Sequence, residues 1–328
     1  MAVCRRIEAE IGRVLERLGG LPSWSAARDT WTRILYAEVQ QATAMAGSTM
    51  DPWAVELLLG QGVAYGRKEP AEYLMVLGYA YAARWVYDQV LADGPPRHAP
   101  PVTLDEVRRL NDLALRQAWQ EDDRERVPEP GRFRRHDIGP LPSGVTPPPG
   151  PEVPAAMRDW AGSPAGPEAE PEAGPPPGVP PPIADFAAAH AAFERVHPFP
   201  DGNGRTGLLV LNLQLLRSGY PPAFIRGRAR QAYLRGLREA DSGDHARLAG
   251  VIARSVLDNL TRFVPREVAT TRELLPLSEL TTESVDVKVL QRAVRSGKLK
   301  AARGSGRGYL SSRAWVDEYL RTRRKRRT

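Results

Sequence analysis

Eighteen of the 31 prolines in this 328-residue chain lie between Pro128 and Pro182. Proline fixes φ and removes a backbone donor, so no continuous helix or central strand runs through such a stretch. The core must be assembled from the segments on either side. Pro164–Pro182 is densest, with nine prolines in 19 residues mixed with Gly, Ala and Glu. It reads as a flexible or polyproline linker with nothing to bury. Gly131–Val145 has room for a short hairpin around Pro142-Ser143-Gly144.

Both flanks carry helical periodicity. Ile7, Ile11, Val14, Leu15 and Leu18 recur at 3–4 spacing within Arg5–Leu18. Trp31–Ala46 follows, then Pro52–Leu59, where Asp51 and Pro52 form a cap and first turn. Ala71–Ala92 is a long apolar helix. Thr103-Leu104-Asp105-Glu106 is a capping box opening a helix through Trp119. Beyond the linker, helices are expected at Ala184–Val196, Gly207–Ser218, Arg228–Ala240 and His245–Phe263. Few segments alternate with period two, so the body is α-rich.

Apolar residues make up 42 % and charged residues 26 %, enough for a sizeable core and too ordered a composition for a disordered chain. The longest apolar stretch, Tyr73–Ala83, stops at Arg84. It is far short of the ~20 residues of a bilayer-spanning helix. The N-terminus lacks the apolar block of a signal peptide. Cys4 is alone, which excludes an internal disulfide and a cysteine-rich zinc site. These features lead us to expect a soluble cytoplasmic protein without membrane partners. Its Ala/Arg/Pro-rich composition fits a bacterial origin. The sequence is silent on oligomeric state.

Charge is unevenly placed. Pro265–Thr328 carries +9 and the remainder −2. A basic C-terminal module on a nearly neutral body suggests an anionic partner, with nucleic acid first.

The segment from His197 to Gly207, HPFPDGNGRTG, lies between two apolar-periodic helices. Gly202 and Gly204, just before a helix, let backbone N–H groups turn toward one point. The helix N-terminus adds partial positive charge there, which makes an anion site suited to phosphate. Arg205 adds a fork-shaped phosphate ligand. Asp201 is the hard oxygen ligand that Mg²⁺ uses beside substrate phosphates. His197 is the nearby side chain whose ordinary pKa suits a general base at neutral pH. Base, carboxylate and cradle within nine residues point to phosphoryl or nucleotidyl transfer to a hydroxyl.

This segment resembles the Fic family signature, HxFx(D/E)GNGRxxR, at every position through Arg205. Ala187–Phe193, with His190 and Phe193, resembles the helix before that motif, and the likeness covers roughly 30–263. The resemblance implies an all-α fold, a Fic-type helical core with a small β-hairpin flap. It also implies transfer of AMP from ATP to a protein Ser, Thr or Tyr hydroxyl with Mg²⁺. In that scheme His197 deprotonates the hydroxyl and Asp201 holds the metal. Asn203, with the amides of Gly202 and Gly204, cradles the phosphates, Arg205 binds them too, and Phe199 anchors the loop. Gly131–Val145 and the segment after it resemble the family's flap, where an exposed edge holds the target protein by strand addition.

Two positions depart from the pattern. The second motif arginine, which in the family binds the terminal phosphate and pairs with an inhibitory glutamate, falls at Leu208. The inhibitory segment resembles Ala42–Gly47, with Ala46 at the glutamate position. Losing one partner strands a charge, whereas losing both leaves none unpaired. Two readings stay open. One is a transferase without internal autoinhibition, using ATP or another nucleotide. The other is a DNA-binding transcriptional regulator with a degenerate pocket. Removal of AMP is the weaker reading, because in the family it uses the glutamate replaced here.

Leu275–Leu320 reads as a helix at Leu275–Leu280, a second at Val285–Arg295, a glycine-rich hairpin wing at Ala301–Leu310 and a closing element at Ala314–Leu320. It resembles the MerR/excisionase type of winged helix-turn-helix. That implies double-stranded DNA as partner, with Lys288, Gln291, Arg292 and Arg295 toward the major groove and Arg303 and Arg307 on the backbone. The expected division is 1–127 and 183–264 as the helical core, 128–182 as flap and linker, and 265–328 as the basic domain.

Overall fold

Caps written in the sequence set where the helices begin. The computed structural model of the chain describes residues 2–91, 101–121, 128–141, 144–162, 181–270, 275–281, 285–296, 298–299, 301–303, 308–311, 315–316 and 319–320. Its helices run α1 (Ala2–Leu18), α2 (Arg28–Met45), α3 (Pro52–Gln61), α4 (Pro70–Leu91), α5 (Leu104–Glu121), α6 (Val153–Gly162), α7 (Ile183–Val196), α8 (Asn203–Arg217), α9 (Arg230–Asp241) and α10 (Ala246–Thr270). Asp51 Oδ1 accepts the Ala54 N–H at 2.8 Å and opens α3 over Pro52, and left-handed Gly62 ends it. The expected capping box opens α5. Glu106 N–H donates to Thr103 Oγ1 at 3.2 Å, and Thr103 N–H to the Glu106 carboxylate at 2.9 Å. The same carboxylate holds Arg217, at the end of α8.

The chain divides between Leu260 and Thr261, inside α10, into two compact units. In the first unit α8 is the central element. From Thr206 to Arg217 every one of its residues is buried. A helix apolar on all sides must be covered on all sides, and α2, α4, α5 and α7 pack against it. One polar knot crosses this core. Glu38 on α2 accepts hydrogen bonds from Tyr79 (3.1 Å) and Tyr87 (2.7 Å) on α4 and from Asn212 (2.7 Å) on α8. Burial pushes its pKa up to about 7 against those three bonds.

The expected flap hairpin appears only as a closing pair at its tip. Leu141 N–H donates to Val145 at 2.7 Å, and no strand forms among the described residues of 128–149. Proline at 140, 147, 148 and 149 removes the donors a ladder needs. Pro142 and Ser143, with the linker at 163–180, lie outside the described residues.

The second unit holds a three-stranded antiparallel sheet, β1 (Leu275–Pro276), β2 (Ala302–Arg303) and β3 (Tyr309–Ser311), in the order β1-β3-β2, with α11 (Val287–Arg295) between β1 and β2 in the chain. Asp286 caps α11 through a 2.9 Å bond from Val289 N–H. Leu277, Leu280, Val285, Leu290, Ala293, Leu299 and Val316 form its core. β2 and β3 pair across the stretch where a hairpin is expected, Ala301–Leu310. The helix expected at Leu275–Leu280 is instead β1 followed by a turn, because a residue before proline is driven to extended backbone. No helix among the described residues is long and apolar enough to cross a membrane.

Candidate active site

α7 ends on His197, whose backbone is left-handed at φ 49°. Among the described residues no other non-glycine residue has positive φ. Its imidazole is largely enclosed, and Nδ1 is buried without a well-formed hydrogen bond. Burial lowers the pKa, and the Arg134 charge adds to that. The nearby Glu194 carbonyl and the Asp201 carboxylate oppose it. The net direction keeps the ring neutral at neutral pH, which is the form a base needs.

From His197 the chain dips into the core and returns. Phe199 is fully buried and lies 5.3 Å from the Phe133 ring, the anchoring expected of it. The Asn203 amide closes the dip, accepting from Phe199 N–H and donating to Phe199 O, both at 2.8 Å. Its side chain thus shapes the loop. Gly202 is left-handed at φ 76°, and a Cβ there would press on Leu115 Cδ1 at 2.6 Å. α8 then begins at Asn203, four residues earlier than its apolar pattern indicates. Its first N–H groups have no intrahelical acceptor. At Gly204 a Cβ would meet nothing within 4 Å, so this glycine leaves open space at the helix mouth.

Arg205 and Asp201 pair at 3.0 Å, with Arg205 nearly buried and Asp201 69 % exposed. Asp201 Oδ1 also accepts the Gly202 N–H at 2.6 Å. Among the described residues no three His, Cys, Asp or Glu side chains gather to hold a metal. A single open carboxylate beside a helix N-terminus fits Mg²⁺ held jointly with phosphate oxygens and water.

Gly207 has a packing reason, since a Cβ there would collide with Glu194 Oε1. Burial pushes the Glu194 carboxyl up to about 7. His190 bonds Tyr233 at 2.8 Å, and burial drives its pKa down to about 4. Leu208 is 3 % exposed within the core face of α8, while Ala46 is exposed at the end of α2.

Residues 101–215 match the Fic/DOC family. Over that stretch the chain is similar to the Fic/DOC family. The protein adenylyltransferase Fic of Nematostella vectensis is 26 % identical over 239 residues, 72 % of this chain and 49 % of that protein. The protein adenylyltransferase fic-1 of Caenorhabditis elegans is 24 % identical over 289 residues, 87 % of this chain and 53 % of that protein. The chain thus spans about half the length of the curated relatives it matches. Among solved structures, C. elegans Fic-1 (aa134–508) superposes with a TM-score of 0.64 at 23 % identity, covering 82 % of this chain and 74 % of that one. A Fic domain containing signaling protein from Bacteroides thetaiotaomicron gives 0.56 at 21 %, covering 89 % and 98 %. These likenesses identify the fold of the Fic/DOC domain. The two named relatives are animal proteins and lend nothing to a bacterial origin.

Two residues to which the sequence assigns no role at the site bracket the motif. Asn111 on α5 donates to Asp201 O and Thr206 Oγ1, each at 3.1 Å, and accepts the Gly131 N–H at 2.8 Å. Arg134 holds the other end through the carbonyls of Val196 and His197. In the second unit Lys288, Arg292 and Arg295 are exposed on one face of α11 and Gln291 is half-buried. Arg303 lies in β2, and Arg307 is outside the described residues.

Proposed function

We propose that the Fic/DOC domain is a nucleotidyltransferase that moves AMP from ATP to a Ser, Thr or Tyr hydroxyl of a protein. One observation carries this: a neutral, enclosed imidazole and an open helix N-terminus share one loop with a solvent-exposed carboxylate, that of Asp201. His197 takes the hydroxyl proton as the oxygen attacks the α-phosphorus, and pyrophosphate leaves. The N–H groups of Asn203 and Gly204, with the Arg205 guanidinium, receive the phosphates, while the Gly202 N–H is taken by Asp201 Oδ1. Asp201 would hold Mg²⁺, which supplies positive charge to the phosphate oxygens. The target protein docks by main-chain pairing on the flap, whose residues from Arg135 to Pro140 are mostly exposed. Leu208 and Ala46 remove the second arginine and the inhibitory glutamate, so the pocket lacks internal autoinhibition and holds the terminal phosphate less tightly.

The second unit is proposed as a winged helix-turn-helix module for double-stranded DNA. The exposed Lys288, Arg292 and Arg295, with Gln291, lie on its reading helix, and Arg303 lies in β2; Arg307 is assigned to the DNA backbone from the sequence alone. The cytoplasm suits both partners. A second reading, a DNA-binding regulator with an idle Fic pocket, is favoured by Leu208 alone.

The test is incubation with Mg²⁺ and each labelled nucleoside triphosphate, reading label on the protein itself and on lysate proteins. A positioned base is worth ~10²–10⁴ in rate. His197→Ala is expected to lose transfer by that factor with an unchanged fold. Labelling at wild-type rate by a folded His197→Ala chain overturns the assignment.

A further inference from the structure

Arg134 is 1 % exposed, and its guanidinium meets four carbonyls. Nε donates to His197 O at 2.8 Å, Nη1 to His136 O at 3.0 Å, and Nη2 to Pro148 O at 2.7 Å and Val196 O at 3.2 Å. Its own N–H donates to Pro198 O at 2.8 Å. Among the described residues no carboxylate forms an ion pair with it. Asp137 acts on it only at longer range, and a buried cation without a direct ion pair is costly, so that an apolar side chain of the same volume would fill the space more cheaply.

The acceptors indicate what offsets that cost. The last carbonyls of a helix have no intrahelical donor. Usually the residues just past the helix close it through their own N–H groups. Here the residue after left-handed His197 is Pro198, which has no N–H. Arg134 brings the missing donors from 62 residues away. On the flap side the same guanidinium ties His136 to Pro148. Those two arms are clipped again where Asp137 Oδ1 accepts the Gly150 N–H at 2.7 Å. They lie so close that a Cβ on Gly150 would collide with the Arg135 carbonyl.

Resting on the transferase reading, we propose that Arg134 is a positioning residue: it caps the helix that ends in His197 and locks the flap to it, so that a hydroxyl held on the flap meets the imidazole at a fixed distance. The nucleotide cradle is held separately, by Asn111 and Asn203.

Arg134→Met keeps the volume and removes the donors, and Arg134→Lys restores some of them. A misplacement of about 1 Å costs on the order of 100-fold. Arg134→Met is expected to lower kcat by about that factor, with nucleotide affinity within twofold of wild type, and Arg134→Lys is expected to recover at least tenfold. A folded Arg134→Met chain with kcat within threefold of wild type overturns the proposal. So does an equal loss of kcat and nucleotide affinity. If Arg134→Met does not fold, Arg134→Lys is read alone: kcat about tenfold down at unchanged affinity supports the proposal, and unchanged kcat overturns it. Failure of both to fold marks Arg134 as a folding residue and overturns it as well. If the wild-type chain transfers no nucleotide, the transferase reading fails by itself. Hydrogen exchange at the His197 amide, in whichever variant folds, then decides: faster exchange supports the cap, and unchanged exchange overturns it.

Discussion

Glu38 accepts three hydrogen bonds inside a core that excludes water, and it still holds its proton up to about pH 7. An unfolded chain would release that proton near 4.5. Between those values the folded state binds more protons, so this group makes stability fall as pH rises. Glu194 acts in the same direction. His190, lowered to about 4 from 6.5, acts in the opposite one, costing stability as pH falls through that window. Glu38→Gln isolates one of the three. Its amide still accepts from one partner and donates to a tyrosine oxygen. It is expected to gain on wild type between pH 5 and pH 8, by roughly 3 kcal/mol at most. Urea unfolding of both chains at each pH measures the difference, and a gap that does not change with pH would show that Glu38 ionises freely in the fold. None of this is legible in the sequence. The Glu38–Asn212 bond spans 174 residues, Asn111–Thr206 spans 95 and Arg134–His197 spans 63. Polar partners so far apart share no local pattern. His197, Asp201 and Arg205 were legible because their chemistry is packed into one loop.

At the scale of elements, capping and the local β2–β3 pairing were legible, and the distant pairing of β1 with β3 was not. Asp51 and the Thr103–Glu106 box act within three residues, so their bonds follow from local spacing. β1 exists only because β3, more than thirty residues on, offers it an edge. The start of α8 was misjudged for a related reason. Apolar periodicity begins at Gly207, but the helix begins where Gly202 turns left-handed, and its first turn, Asn203 to Thr206, carries no apolar side chain to mark it. Leu208 on the second turn is therefore the informative substitution. An arginine there, snorkelling out of the core on its long stem, would supply the charge that the motif otherwise carries. A charge-assisted hydrogen bond is worth roughly 1.5–3 kcal/mol. Leu208→Arg is expected to tighten ATP by about tenfold or more, read by calorimetry, at some cost in melting temperature. Unchanged affinity with the arginine ordered at the helix mouth would mean that the terminal phosphate is held elsewhere.

At the scale of the molecule, net charge separates the two parts of the chain, with +9 from Pro265 onward and −2 before it. If that charge serves DNA, the full chain binds duplex with an affinity that falls steeply with salt, at a log–log slope near −0.9 per phosphate neutralised. A sticky basic run gives the same slope, so salt alone does not separate a reader from a tail. The two differ in what each change removes. Ending the chain at Leu320 deletes the Arg321–Arg327 run and is expected to weaken every sequence by a similar factor and make the slope shallower. Gln291→Ala with Arg292→Ala leaves that run intact. Arg292 lies on the exposed face of α11 and Gln291 at its half-buried margin. Base-edge contacts carry sequence information, and phosphate contacts do not. The double variant is therefore expected to lose discrimination between a selected site and random duplex while keeping most of its non-specific affinity. Selection from a random duplex pool with the full chain supplies the site. If selection enriches no sequence and truncation at Leu320 abolishes binding, the basic run alone holds the DNA. The second unit then anchors a Fic enzyme to polyanions instead of addressing it to a sequence.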